Sequence, residues 1–154
     1  MIIELVFPEK SLSNDELNQF ELLFIAKLPE AFKRHYLTIN GGFIGENSNV
    51  DSYFGGFNPI KYGKLPIEKL IEDMGDLDVT LNNKSMNFEQ GSFIPFGYDN
   101  GGNTLLLSLK KNSYGEVYFH SYDGFFQKEY SNFESFLNDV FGNDYYAPNN
   151  LSCR

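Results

Sequence analysis

The sequence predicts an α+β domain with helices packed mainly on one side of an antiparallel (mixed) sheet. Three observations carry this. Apolar runs at 93–98, 104–110 and 116–122 follow one another without intervening helices. The links between them, Asp99-Asn100-Gly101-Gly102-Asn103 and Lys111-Asn112-Ser113-Tyr114-Gly115, are short and contain glycine, as antiparallel hairpins require. Helix-start signals lie before and after this block, not between its strands. A length of 154 residues fits one domain, and 16 Phe with 10 Tyr supply enough apolar surface for a core.

Taken in order, residues 2–7 read as a short edge strand or extended arm ending at Pro8. Ser13 and Glu16 stand at capping-box spacing, and Leu17, Phe20, Leu23 and Phe24 continue at helical spacing, predicting a helix to about Lys27. In LPEAFKRHYLTINGG (28–42), Pro29 suits a helix start and Glu30 its first turn. Phe32, Tyr36 and Ile39 form the apolar stripe, His35 falls off it as a solvated residue, and Asn40 or Gly41 can take a left-handed cap. Residues 43–64 read as loop with one strand near 52–57, residues 66–74 as a helix with Ile67, Leu70, Ile71 and Met74 inward, and 75–91 as irregular. Ser131-Asn132-Phe133-Glu134 opens a last helix with Phe133, Phe136, Leu137, Val140 and Phe141 inward. The expected division is a domain over 1–142 and a polar tail over 143–154.

The charge is acidic throughout. Twelve Lys and Arg against 21 Asp and Glu leave −9, with an excess of three acids in residues 1–50, four in 51–100 and two in 101–154. This body lacks the basic footprint of a protein that binds nucleic acid or an anionic membrane directly. It suits a basic protein partner. A lone cysteine, Cys153, and a start without a basic segment before its short apolar run predict a reducing, cytoplasmic setting.

Catalytic and metal patterns are sparse. There are two histidines, no CxxC or HExxH spacing, no GxSxG, and no phosphate-cradling glycine pattern, so no metal and no cofactor are expected. Tyr118, His120 and Tyr122 share one face of a strand whose other face holds Val117 and Phe119. That ladder reads either as an ordinary solvated face or as a platform for a protein partner. Asp99 and Asp123 should emerge at the same end of a three-strand meander, about 9–10 Å apart by strand spacing. That is close to the spacing of an inverting carboxylate pair.

Four blocks in this chain resemble the SUKH superfamily, whose members include fungal Smi/Knr-type cell-wall regulators and bacterial immunity proteins of polymorphic toxin systems. They are LPEAFKRHYLTINGG, then Phe93 to Asn103 with its Pro-Phe-Gly and acidic Gly-rich turn, then Gly115 to Phe119 with the acidic turn at Asp123, and last Phe133, Phe136 and Leu137. His120 stands where an aromatic is common, and Asn103 where an acid is usual. The resemblance implies a binding module that is not an enzyme: an immunity-type protein that sits on a cognate toxin, a nuclease or another basic domain. The alternatives are an intracellular regulatory scaffold of the Smi/Knr type and, last, a small hydrolase using Asp99 and Asp123. The residues expected to touch the partner are Asp51, Tyr53, Phe54, Asp99, Tyr118, His120, Tyr122 and Asp123.

Overall fold

The computed structural model describes residues 4–45, 52–74, 77–81, 84–89, 91–121 and 123–142, with the backbone alone at 77–81 and 84–88. Among the described residues there are nine strands and four α-helices: β1 Leu5–Val6, α1 Asn14–Glu21, α2 Glu30–Thr38, β2 Gly42–Ile44, β3 Phe54–Phe57, α3 Ile67–Met74, β4 Leu77–Leu81, β5 Lys84–Phe88, β6 Phe93–Asp99, β7 Thr104–Ser108, β8 Val117–His120, β9 Phe126–Tyr130 and α4 Phe133–Phe141. Seven strands form one sheet in the order β1-β2-β3-β6-β7-β8-β9, with every neighbouring pair antiparallel. The segment expected to be irregular instead forms the β4–β5 hairpin, a separate two-stranded sheet lying alongside β9. The predicted meander is β6–β7–β8, and the architecture is α+β.

The main core lies between the sheet and the helices. Leu17 and Phe20 of α1, Phe32 and Tyr36 of α2, Ile67 of α3, and Phe133, Phe136 and Leu137 of α4 meet Phe54, Phe57, Ile94, Phe96, Leu105 and Leu107 of the strands. Ring contacts knit this layer, among them Phe54–Phe136 at 5.1 Å and Phe96–Phe133 at 5.2 Å. Two of the predicted helix starts carry side-chain caps: Ser13 and Glu16 form a reciprocal capping box, and the Asn132 side chain accepts from Ser135 N–H.

The Asn-Gly-Gly segment after α2 is a joint, not a left-handed helix cap. Asn40 is buried, and its amide donates to the carbonyls of Lys10 and Ile60, both at 2.9 Å, while its Oδ1 accepts Ile60 N–H at 2.7 Å. The chain leaving α2 is thereby tied to two distant segments. Gly41 follows at φ +81°, where a Cβ would stand 3.0 Å from Pro59 Cβ. Tyr36 adds a second tie, its one hydroxyl proton shared between the carbonyls of Asn58 at 2.7 Å and Phe96 at 3.1 Å.

Two further expectations are corrected. The first helix stops at Glu21, six residues short of Lys27, because the chain is drawn aside: Ile25 N–H bonds Gly91 O at 3.0 Å, and Leu28 N–H bonds Glu21 Oε2 at 2.9 Å. Leu23 therefore points to solvent instead of into the core. His35 is fully buried, at 0 % exposure, tilted against Phe57 with ring centroids 4.2 Å apart. Its place one turn from Ala31 and Phe32 puts it on the buried stripe, wider than Phe32, Tyr36 and Ile39 alone.

Burial pushes the His35 pKa down to about 3, so the folded state holds a neutral ring. An unfolded histidine protonates near 6.5. The associated stability is therefore complete above pH 6.5 and falls as pH drops towards 3, by about 2 kcal/mol at pH 5. The urea midpoint should fall accordingly between pH 7.5 and 5, and His35→Leu should remove most of that slope. Half-buried His120, also held below its ordinary value by burial, adds in the same direction. Glu16, held down to about 2 chiefly by its hydrogen bond with Lys61, loses its contribution only as pH falls from about 4.3 towards 2, so it does not enter the comparison between pH 7.5 and 5.

Candidate protein-binding face

Cross-strand register aligns one residue from each strand of the large sheet: Val6, Phe43, Gly56, Tyr98, Thr104, His120 and Phe126. Residues directly opposite one another share a face, and this one is turned away from the main core. The row divides into two environments. Around Phe126, a second cluster of Phe93, Leu106 and Tyr118 is closed over by Met74 at the end of α3. Towards β2, Phe43 is 50 % exposed and Tyr98, Thr104 and His120 are half-buried.

This open half is an aromatic surface with a built floor. Phe7 meets Phe43 at 6.5 Å and Phe43 meets Tyr98 at 6.4 Å between ring centroids, both edge-on. The Tyr98 ring lies across the Gly55-Gly56 pair of β3. A Cβ on Gly56 would come 2.5 Å from the Tyr98 hydroxyl and 2.7 Å from Gly42 O. Gly56→Ala should therefore lower stability by about 1–3 kcal/mol in a chemical-denaturation curve, since backbone occupies part of the space.

The end of the sheet beside this face is acidic. Asp99 closes β6 and Asp123 sits in the β8–β9 turn, both at the same end, as the meander requires. Asp99 Oδ1 accepts the N–H groups of Gly101 and Asn103 at 2.9 and 2.8 Å, so the turn holds its own carboxylate in place. Asp123 accepts the Ser121 hydroxyl, which holds its pKa below the usual value, and its charge acts on His120. A carboxyl held low stays ionised near neutral pH and gives this border a fixed negative charge.

Tyr53 joins the same end: Asn100 N–H bonds its carbonyl at 2.9 Å. Its hydroxyl lies 2.6 Å from that of Tyr130, which donates to Asp139 Oδ2 at 2.7 Å. Burial first, with the nearby charges of Asp139, Glu129 and Asp99, pushes Tyr53 up to about 12. Exposed Phe125 adds an apolar ring beside Asp123.

The residues expected from sequence to touch a partner thus separate. His120, Asp99 and Asp123 come together around the open face and its acidic end, whereas Tyr53 has its backbone at that end and its hydroxyl with Tyr130 and Asp139 on the helix side. Phe54 does not: a bulge between Phe54 and Gly56 turns it to the same side as Phe57, inside the main core. Tyr118 lies on the anticipated face, opposite Val117, but that part of the face is covered. It stacks on Phe126 at 4.7 Å and is buried, its hydroxyl donating to Glu116. Asp51 and Tyr122 lie outside the described residues. Sequence reasoning missed Phe7, Phe43 and Tyr98. Their link is the register of β2, whose three residues carry too little pattern to reveal a strand.

Among the described residues no group of three or more His, Cys, Asp or Glu could hold a metal ion, and no helix is long and apolar enough to cross a membrane. What the arrangement offers is exposed aromatic area, hydroxyl and imidazole tips, and a negative border, the chemistry of a protein contact.

The architecture is thus a helix-backed antiparallel sheet with one partly uncovered aromatic face. Residues 11–139 match the SMI1 / KNR4 family (SUKH-1), and the chain belongs to that family. No curated protein and no solved structure gave a significant match.

Proposed function

We propose that this protein is an immunity-type binder that neutralises a bacterial toxin by covering it, with no chemistry of its own. The observation that carries the reading is the Phe7–Phe43–Tyr98 surface beside His120, bordered by Asp99 and Asp123, on a chain of net charge −9. Family membership supports it, since the family's bacterial members resemble antidotes. A toxin that cuts nucleic acid presents a positive surface to its substrate. An acidic inhibitor is steered to that surface and occludes it, while the aromatic centre supplies the short-range contact. The partner is therefore a basic protein in the cytoplasm, and the binder touches neither nucleic acid nor membrane.

Co-expression with the toxin encoded beside this gene tests the reading. Growth should be rescued, and a catalytically inert toxin should co-purify with the chain in a complex that weakens as salt rises. Growth arrest despite expression of both proteins, with no complex at low salt, would overturn it.

A further inference from the structure

The premature end of α1 builds a second apolar surface. Leu22, Leu23 and Ile25 are 76, 52 and 54 % exposed, while Phe24 and Ala26 between and beside them pack inward. The segment is pinned: Leu23 N–H bonds Phe20 O, Phe24 N–H bonds Glu21 O, and Ile25 N–H bonds Gly91 O. Three aliphatic side chains are thus held outward by a fixed backbone.

This ridge separates two grooves of opposite charge. One, of about 400 Å³, has Leu23 on its wall and is lined by Asp15, Glu16 and Glu68 with Lys61. Lys61 is already bound to Glu16 at 2.8 Å, which leaves the groove negative. The other, of about 480 Å³, has Ile25 on its wall and is lined by Lys110, Lys111 and Glu89 over the rings of Phe93 and Tyr118. Lys110 lies 5.8 Å from the Phe93 ring centre, and among the described residues neither lysine forms an ion pair.

We infer that the Leu22–Ile25 ridge is a self-association surface on which a second copy of this chain docks about a two-fold axis. With the axis in the interface and across the line joining the grooves, ridge packs on ridge. The acidic groove of each copy then faces the lysine groove of the other, twice over. A basic partner would meet Lys110 and Lys111 as a repulsive element, and an acidic partner would meet Asp15 and Glu68. A second copy satisfies both flanks. The like net charges oppose association only weakly, because they are spread over the body and screened beyond about 8 Å at physiological ionic strength.

Sedimentation equilibrium over about 1–200 μM, the range of modest interfaces, tests this. The mass should rise from 17.7 kDa towards that of a dimer with concentration. Leu23→Asp should remain monomeric. So should Lys110→Glu/Lys111→Glu, and Asp15→Lys/Gln19→Lys, which leaves the Glu16–Lys61 pair alone. Mixed in equal amounts, the two charge-reversed chains should associate again, since each then complements the other. Circular dichroism on each variant separates loss of association from loss of fold. A wild-type chain monomeric throughout, or charge-reversed chains that stay apart when mixed, would overturn the inference. A monomer whose Leu23→Asp variant loses growth rescue would assign the ridge to a different protein and overturn it equally.

Discussion

Asn40→Ala is expected to lower the unfolding free energy by about 3–4 kcal/mol, among the largest effects of any single substitution here. The residue lies between α2 and β2, and its side chain joins three segments through Lys10 O, Ile60 O and Ile60 N–H. Alanine leaves the buried carbonyl and N–H of Ile60 without their partner, each costing about 1–3 kcal/mol less whatever relaxation recovers, and removes the part-buried bond to Lys10 O. Asn40→Asp should do no better, because a carboxylate cannot donate to the two carbonyls. Urea denaturation of both variants beside the wild type reads the effect. A loss below about 1 kcal/mol in both would mean that the joint is held by other contacts.

Phe43→Lys is expected to weaken toxin binding by about 100-fold or more, equivalent to some 2.7 kcal/mol, while leaving stability within about 0.5 kcal/mol. Half of Phe43 is exposed, and among the described residues its ring meets those of Phe7 and Tyr98 edge-on, so the fold depends on it little. At an interface its position is central, between the exposed Phe7 and the Gly-floored Tyr98, where truncation is most costly. Lysine also sets a positive charge against a basic partner. Phe43→Tyr keeps the ring and should bind nearly as well. Surface-binding kinetics on the three chains make the comparison. Unchanged affinity in Phe43→Lys would remove the face from the account.

What was legible in the sequence followed from local chemistry. Ser13 with Glu16, Pro29 and Asn132 marked helix starts because capping is a short-range interaction. The meander was legible because its links are turns with their own hydrogen bonds, Asp99 to Gly101 and Asn103 being the clearest. What escaped depends on contacts distant in sequence. Helix α1 ends early because of Gly91, seventy residues after Glu21. Strand β9 carries exposed Gln127, Lys128 and Glu129 at the sheet edge, so its sequence lacks alternation. The candidate face was half legible. Parity along β8 placed Tyr118 and His120 together correctly, but whether that side is open depends on Met74, which only the tertiary fold brings there. Phe54 was misplaced for a similar reason, since one bulge reverses the side a strand residue faces.

Hydrogen exchange of the chain alone and with its toxin tests the central claim most directly. Slowed exchange is predicted over 42–44, 97–104 and 120–125, the strands and turns of the aromatic face and its acidic border, with α2 and α4 unchanged. Protection confined to the helical side, with the sheet face exchanging as in the free chain, would contradict the account.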